Sequence, residues 1–492
     1  MGRAAPHLSA TAARRRGAFY TPPAVASALC GWALDEMTPS AVPVVADPAC
    51  GDGVFLEAAA DELVCRGVPP ATVMNGCLRG IDIDDRAVAA TRRRLVDWAS
   101  RHGVDGPPPD ALRVGDGLSP PGGWIPSEGF DVVVGNPPFL AQLRADTARD
   151  ERASERAREL LGGRPARYAD EAGLFLAAAG RMTRRGGAVA MLQPVSLLGA
   201  SDAAPVRDLC DEIGSLSRIW LPGEQLFDVD VSVVAIVVAV GRNDLNQPIE
   251  LASGHIDSAT RPAPTSRAEL AAAHSWAPLV ADVAGVPPTP PPPNGSTLGD
   301  IATLAADFRD EYYALARVVR EATEEERRRL MATADPDPDV TIAAVVTSGA
   351  VRDGHVTWGE TSIRFAKRRW SAPVVDRTAR NGPTSEWYDR RLVPKVLVAT
   401  QTRVLRAAPD VAGVWAPVTP LITVVPKDPA DLRRVAGLLS RPEATAWIAR
   451  RTSGTALSSS ALRPTAPLLR ELPMWSGPTP PEIEAWYEQS LR

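Results

Sequence analysis

The chain has 492 residues, of which 45% are hydrophobic and 23% charged, a balance that excludes a disordered chain. At roughly 100 to 200 residues per domain it holds two to four folded units. Five cysteines without CxxC spacing and five scattered histidines argue against a disulfide framework or a zinc site, so no metal is expected. The net charge of −5 is unevenly spread: twelve Lys and Arg against five Asp and Glu between Val351 and Ala407 put +7 there and −12 on the remainder.

In chain order, Arg14 to Arg16 ahead of the apolar stretch Ala24 to Leu34 imitate a secretion signal, but Pro22, Pro23, Asp35 and Glu36 interrupt it. The apolar run Val231 to Val240 falls well short of the ~20 residues that span a bilayer. A cytoplasmic chain without a membrane helix is expected. Strand-like runs at Val42–Ala46, Leu78–Ile83 and Phe130–Val134 alternate with helical patterns at Leu56–Cys65 and Ala87–Trp98, which reads as a doubly wound α/β sheet. A helix through Leu174–Met182 and strands at Ala188–Gln193, Leu216–Leu221 and Val231–Val240 continue it. The proline run Pro287–Pro293 reads as a linker. Beyond it a charged helix is predicted over Phe308–Leu330, strands at Val340–Val346, Lys395–Thr400 and Leu421–Val425, and a helix near Leu432–Leu439, giving a second, mixed α and β domain. The expected division is 1–255, a connecting segment 256–297, and 298–492.

Chemistry concentrates at the ends of the predicted strands. Asp47-Pro48-Ala49-Cys50-Gly51-Asp52-Gly53 lies between a strand and a helix, where Gly51 and Gly53 let a ligand approach the backbone. An ordinary tight turn explains the same glycines. Asp82, followed by Ile83, is placed to accept hydrogen bonds from ribose hydroxyls, and Asp116, followed by Gly117, to accept from an adenine amino group. Together they point to an adenosine-bearing cofactor. Asn136-Pro137-Pro138-Phe139 follows directly on a buried strand: two prolines remove donors and fix the backbone, Asn136 adds a carbonyl and Phe139 an aromatic face. That combination suits a planar group bearing an amine.

Phe19-Tyr20-Thr21-Pro22-Pro23, the glycine-rich turn, Asp82, Asp116 and Asn136-Pro137-Pro138-Phe139, in this order, resemble the gamma class of DNA N6-adenine methyltransferases, over about the first 240 residues. The resemblance implies a Rossmann-like methyltransferase domain using S-adenosyl-L-methionine, with a C-terminal DNA-recognition domain. It implies cofactor contacts from Tyr20, Thr21, Asp47, Ala49, Cys50, Gly51, Gly53, Asp82, Ile83, Asp116 and Gly117, and catalysis by Asn136, Pro137, Pro138 and Phe139. Phe227, in Gly223-Glu224-Gln225-Leu226-Phe227, is the candidate to pack against the extruded base, with a core position as the equal alternative.

The arginine-rich segment Arg144–Arg167, nearly balanced by acids, reads as a solvated helix. The +7 segment interleaves cations with Trp358, Phe365, Trp370, Trp387 and Tyr388; Arg364, Lys367, Arg368, Arg369, Arg390, Arg391 and Lys395 are its candidate contacts to double-stranded DNA. No nuclease motif is evident, so cleavage in a restriction or phage-defence system is expected from a partner endonuclease or another subunit. Two other readings stay open: methylation of an amine on RNA or protein, and a non-catalytic, cofactor-sensing DNA-binding subunit.

Overall fold

The computed structural model of the chain describes residues 20–139, 151–164, 170–227, 232–242, 247–291, 295–306, 316–332, 341–376, 390–453 and 461–491. They fall into two compact units, one running to Val283 and the other starting at Ala284, just ahead of the proline run.

In the first unit β1 (Val45–Asp47), β2 (Leu78–Asp82), β3 (Leu112–Val114), β4 (Phe130–Gly135), β5 (Thr183–Pro194), β6 (Gly214–Leu221), β7 (Val233–Val240), β8 (Glu250–Ser253) and β9 (Arg261–Pro262) form one sheet, in the order β3-β2-β1-β4-β5-β7-β6-β8-β9. The expected α/β sheet is present, with one refinement. Strands β3 to β5 across the sheet run parallel, but β7 enters antiparallel between β5 and β6, so the sheet is mixed. All residues of β4 and β7 are buried, as apolar runs covered on both faces should be. Alternation along the strands sorts the side chains: Val45, Val132, Val134 and Ala188 join one core with Leu29, Leu56 and Trp98, while Ala46, Val133, Val189 and Met191 join the other with Leu174, Leu209 and Trp276.

Helix α1 (Pro23–Glu36) starts with a proline in its first turn, where no amide donor is needed, and packs on β4, β5 and β7. Helices α2 (Val54–Cys65) and α3 (Asp85–Arg101) follow β1 and β2; Asp84 caps α3 by accepting from the Arg86 amide (3.0 Å). Helices α4 (Glu151–Leu160) and α5 (Glu171–Met182) lie between β4 and β5 in sequence. Residues 256–283, expected as a connector, instead belong to the first unit: Leu270, Trp276 and Leu279 are buried in its second core.

The second unit is richer in strands than expected. β10 (Ala302–Ala306), β16 (Lys395–Ala399), β17 (Arg406–Asp410) and β19 (Leu421–Pro426) form a sheet in the order β10-β19-β16-β17. β11 (Arg320–Glu321), β12 (Ile342–Val346), β15 (Pro373–Asp376) and β18 (Trp415–Pro417) form another, in the order β11-β15-β12-β18, and β13 (Ile363–Phe365) pairs with β14 (Arg368–Trp370) as a hairpin. The helix predicted over Phe308–Leu330 is not continuous. Arg320 and Glu321 pair with Val374 and Pro373, and the helix starts only at Glu324. There Thr323 and Glu326 exchange bonds, the Thr323 amide to Glu326 Oε2 (2.7 Å) and the Glu326 amide to Thr323 Oγ1 (3.2 Å), a capping box that sets the start. Residues 307–315 of that prediction lie outside the described residues. The helix at Leu432–Leu439 forms as expected.

Candidate active site

Strand β1 has β2 on one side and β4 on the other, so the strand order reverses there and a crevice opens at the carboxyl ends. The glycine-rich turn lies in that crevice. Gly51 (φ +54°) and Gly53 (φ +85°) are left-handed, and a Cβ on Gly53 would lie 2.9 Å from Thr91 Cγ2. A Cβ on Gly51 would meet nothing closer than 3.9 Å, so the backbone there stands open. The turn is tied to the next strand and helix: Gly51 N–H donates to Asp82 Oδ2 (2.9 Å), Cys50 N–H to the Ile81 carbonyl (3.1 Å) and Thr91 Oγ1 to the Gly51 carbonyl (2.9 Å). Arg94 donates to the Asp52 carbonyl (2.8 Å), Asp52 Oδ2 (2.7 Å) and the Tyr20 hydroxyl (3.4 Å). The Cys50 side chain lies in the apolar core, where burial pushes its thiol well above the usual range.

Three acids surround the turn. Asp47 is buried, accepts from the Ala49 amide (3.0 Å), and has its carboxyl pushed up to about 8 by burial, with Asp82 and Asp52 adding repulsion and the Ala49 bond opposing. Asp82 also accepts from the Asp84 amide (2.9 Å); beside it Ile83 is 76% exposed. Asp116 accepts from the Leu118 amide through Oδ1 (2.9 Å) and through Oδ2 forms an ion pair with Arg156 on α4. A Cβ on Gly117 would strike the Pro48 carbonyl, so the loops after β1 and β3 touch. An open glycine backbone, acids at the ends of β1, β2 and β3, and exposed Ile83 and Tyr20 fit a ligand combining cationic groups, hydroxyls and a flat ring.

Asn136 leaves β4 beside this cradle. Its Nδ2 donates to Thr21 Oγ1 (3.0 Å), and a Cβ on Gly135 would lie 2.8 Å from Asp47 Oδ1. Pro137 and Phe139 are buried and Pro138 is half-buried. Phe139 meets Phe227, also buried, with ring centroids 6.2 Å apart, so the loops after β4 and before β7 converge. Arg156 and Arg94 carried no motif. Arg156 fell in the segment expected as solvated, and only its spatial partner reveals it. Among the described residues no group of His, Cys, Asp or Glu could hold a metal, and no helix is long and apolar enough to cross a membrane.

In the second unit Arg364, Lys367, Arg368 and Arg369 are exposed on the β13–β14 hairpin, and Arg390 is exposed. Arg364 lies opposite Arg369 in the register. Ala366 (φ +52°) and Lys367 (φ +61°) form the turn, a left-handed pair where Gly or Asn is usual. Among the described residues no carboxylate forms an ion pair with these four cations. One expectation needs correction. Lys395 is fully buried in an ion pair with Asp410 and has no surface to offer DNA. Trp358, Phe365 and Trp370 are buried as well: the Trp358 indole donates to the Pro373 carbonyl (3.0 Å) and the Trp370 indole to the Phe365 carbonyl (2.9 Å). Arg391 is half-buried; Arg377, Arg380, Trp387 and Tyr388 lie outside the described residues.

Residues 6–248 match the N-6 DNA Methylase family. The type II methyltransferase M.BstVI of Geobacillus stearothermophilus is 33% identical over 144 residues, which are 26% of this chain and 25% of that protein. M.MamI of Microbacterium ammoniaphilum is 31% identical over 130 residues, 25% of this chain and 34% of that protein. The chain thus spans about a quarter to a third of the length of these relatives. Among solved structures, the type IIL restriction-modification enzyme MmeI in complex with DNA matches with a TM-score of 0.55 at 12% identity, over 94% of this chain and 65% of that one. The DrdV–DNA complex matches with a TM-score of 0.53 at 12% identity, over 98% and 57%. At such identity these two share the fold.

Proposed function

Because residues 6–248 match the N-6 DNA Methylase family, we propose that the chain is a gamma-class enzyme that transfers a methyl group from S-adenosyl-L-methionine to N6 of an adenine flipped out of a specific duplex DNA sequence, within a restriction-modification or phage-defence system. The observation that carries this is the Asn136–Phe139 loop emerging from β4 beside the cradle of Asp47, Gly51, Asp82 and Asp116, with Phe139 facing Phe227. S-adenosyl-L-methionine supplies, when bound, a methyl group on a positive sulfur.

Every other part falls to the chain. Asp82 accepts the ribose hydroxyls, Asp116 the adenine amine, and Asp47 faces the positive charge. An aromatic amine is a poor nucleophile, because its lone pair is shared with the ring. Asn136 Oδ1 and the Pro137 carbonyl accept hydrogen bonds from its two N–H groups and draw the nitrogen toward the tetrahedral form it adopts during attack, which favours the transition state over the ground state. The fixed backbone of Pro137 and Pro138 supplies orientation, and Phe139 replaces stacking that the base loses on leaving the duplex. The cationic hairpin of the second unit contacts DNA.

The test is transfer of labelled methyl to unmodified genomic DNA, RNA and protein in parallel, with nucleoside analysis. N6-methyladenine at one repeated DNA sequence, lost in Asn136→Ala while cofactor and DNA binding persist, is the expected result. Transfer to RNA or protein alone, or wild-type transfer by Asn136→Ala, overturns the reading.

A further inference from the structure

Thr21 belongs to an element read from sequence as a cofactor contact, yet it is bonded to the catalytic loop. It is 3% exposed, and its Oγ1 accepts from Asn136 Nδ2 at 3.0 Å across a separation of 115 residues. Its backbone is held: Pro22, next in the chain, accepts from the Val25 and Ala26 amides (3.0 and 3.2 Å) at the start of α1, and α1 is packed against β4, β5 and β7. The hydroxyl is therefore mounted on a rigid element beside the end of the strand that delivers Asn136.

An asparagine amide presents a donor at one end and an acceptor at the other, and a half-turn about its last bond exchanges them. A group that must accept an amine proton works only with oxygen toward the substrate. We propose that Thr21 is a positioning residue for the methyl transfer: by accepting from Nδ2 it holds the Asn136 side chain with Oδ1 directed to the amine. This rests on the reading of Asn136 as the amine acceptor. The bond also polarises the conjugated amide, placing more negative charge on Oδ1 where the developing positive nitrogen needs it. Thr21 acts through Asn136 and touches neither reacting atom.

The test compares Thr21→Val, which keeps the shape and removes the acceptor, with Thr21→Ser, which keeps the acceptor. The expected result is that Thr21→Val lowers kcat at least about tenfold, with cofactor and DNA affinities within about twofold of wild type, and that Thr21→Ser recovers most of the loss. Loss of cofactor affinity in step with kcat would make Thr21 a cofactor contact; equal loss in both variants would make it a packing residue; either overturns the proposal. The chain has only six asparagines, so selective 15N labelling reports on the Asn136 amide without turnover. One of its Nδ2 protons is expected to exchange slowly in wild type and Thr21→Ser and quickly in Thr21→Val. Equal exchange in all three refutes the contact. Slow exchange in a wild-type protein that methylates no DNA would leave the contact standing and refute the function on which its role depends.

Discussion

Phe139 and Phe227 face each other with ring centroids 6.2 Å apart and planes tilted by 50°, although one follows β4 and the other precedes β7. A base with a ring on each face needs two contact gaps, about 7 Å in all. The rings must part slightly and turn to admit one. Replacing either ring by alanine should remove ~1–3 kcal/mol of base stacking, read as a 5- to 150-fold loss of methylation efficiency. With 2-aminopurine at the target position, wild type should change its fluorescence on binding and Phe139→Ala should change it less. Cofactor affinity should be unaltered. Equal fluorescence changes would remove Phe139 from the base site.

The Asp47 carboxyl at about 8 lies far above the 3.8 of an unburied aspartate. Between about pH 4 and 8 the folded protein therefore holds a proton that the unfolded chain has released, so ligand-free stability falls as pH rises through that window. Asp47→Asn should flatten this dependence, measured as denaturation midpoints at pH 5 and pH 8. A positively charged ligand favours the carboxylate, so cofactor affinity should rise toward pH 8 in wild type and be weak and pH-independent in the variant. Midpoints with the same pH dependence in both proteins would show that Asp47 titrates normally.

Arg156 occupies one oxygen of Asp116 in a half-exposed ion pair. Such pairs contribute ~0–1 kcal/mol to stability, so Arg156→Ala should unfold almost as wild type does. Its effect should fall on the ligand: a cofactor that needs the same oxygen competes with the guanidinium. Cofactor affinity should rise severalfold in Arg156→Ala. In wild type, added salt should tighten cofactor binding by screening the pair, and the variant should not show this. Identical salt responses would refute the competition.

The hairpin and Lys395 make a matched pair of experiments. Removing Arg364 and Arg369 takes two cations from the exposed face and relieves a like-charge cross-strand pair. The slope of log affinity against log salt should drop by about 2, with stability equal or higher. Lys395→Met should leave the slope unchanged and cost ~3–5 kcal/mol, because it strands Asp410 in the interior. Lys367→Gly should stabilise the left-handed turn by ~1 kcal/mol while weakening DNA binding. An unchanged slope in the double arginine variant would place the DNA contact elsewhere.

The sheet of the first unit was legible because β4 and the Ala188–Leu192 part of β5 are apolar runs that alternate with helical patterns, and the acids and Asn136 lie at or just after strand ends. The direction of β7 was not: an all-apolar strand reads the same in either direction. β10, β11, β17 and β18 escaped detection because Ala302–Ala306 and Arg406–Asp410 have little β propensity, and neighbouring strands impose their conformation. Lys395 misled for a related reason. Charge along a sequence reports on surface only while the side chain stays there, and Asp410, fifteen residues on, draws this one inside.

The reversed strand also constrains the order in which the sheet can close. β7 is later in the chain than both of its neighbours and slots between them. During synthesis β5 and β6 emerge first, and each lacks the β7 partner that joins them until Val233–Val240 has left the ribosome. The Phe139–Phe227 contact joins the loops after β4 and before β7, so it is a long-range closure that local folding of either segment alone cannot make.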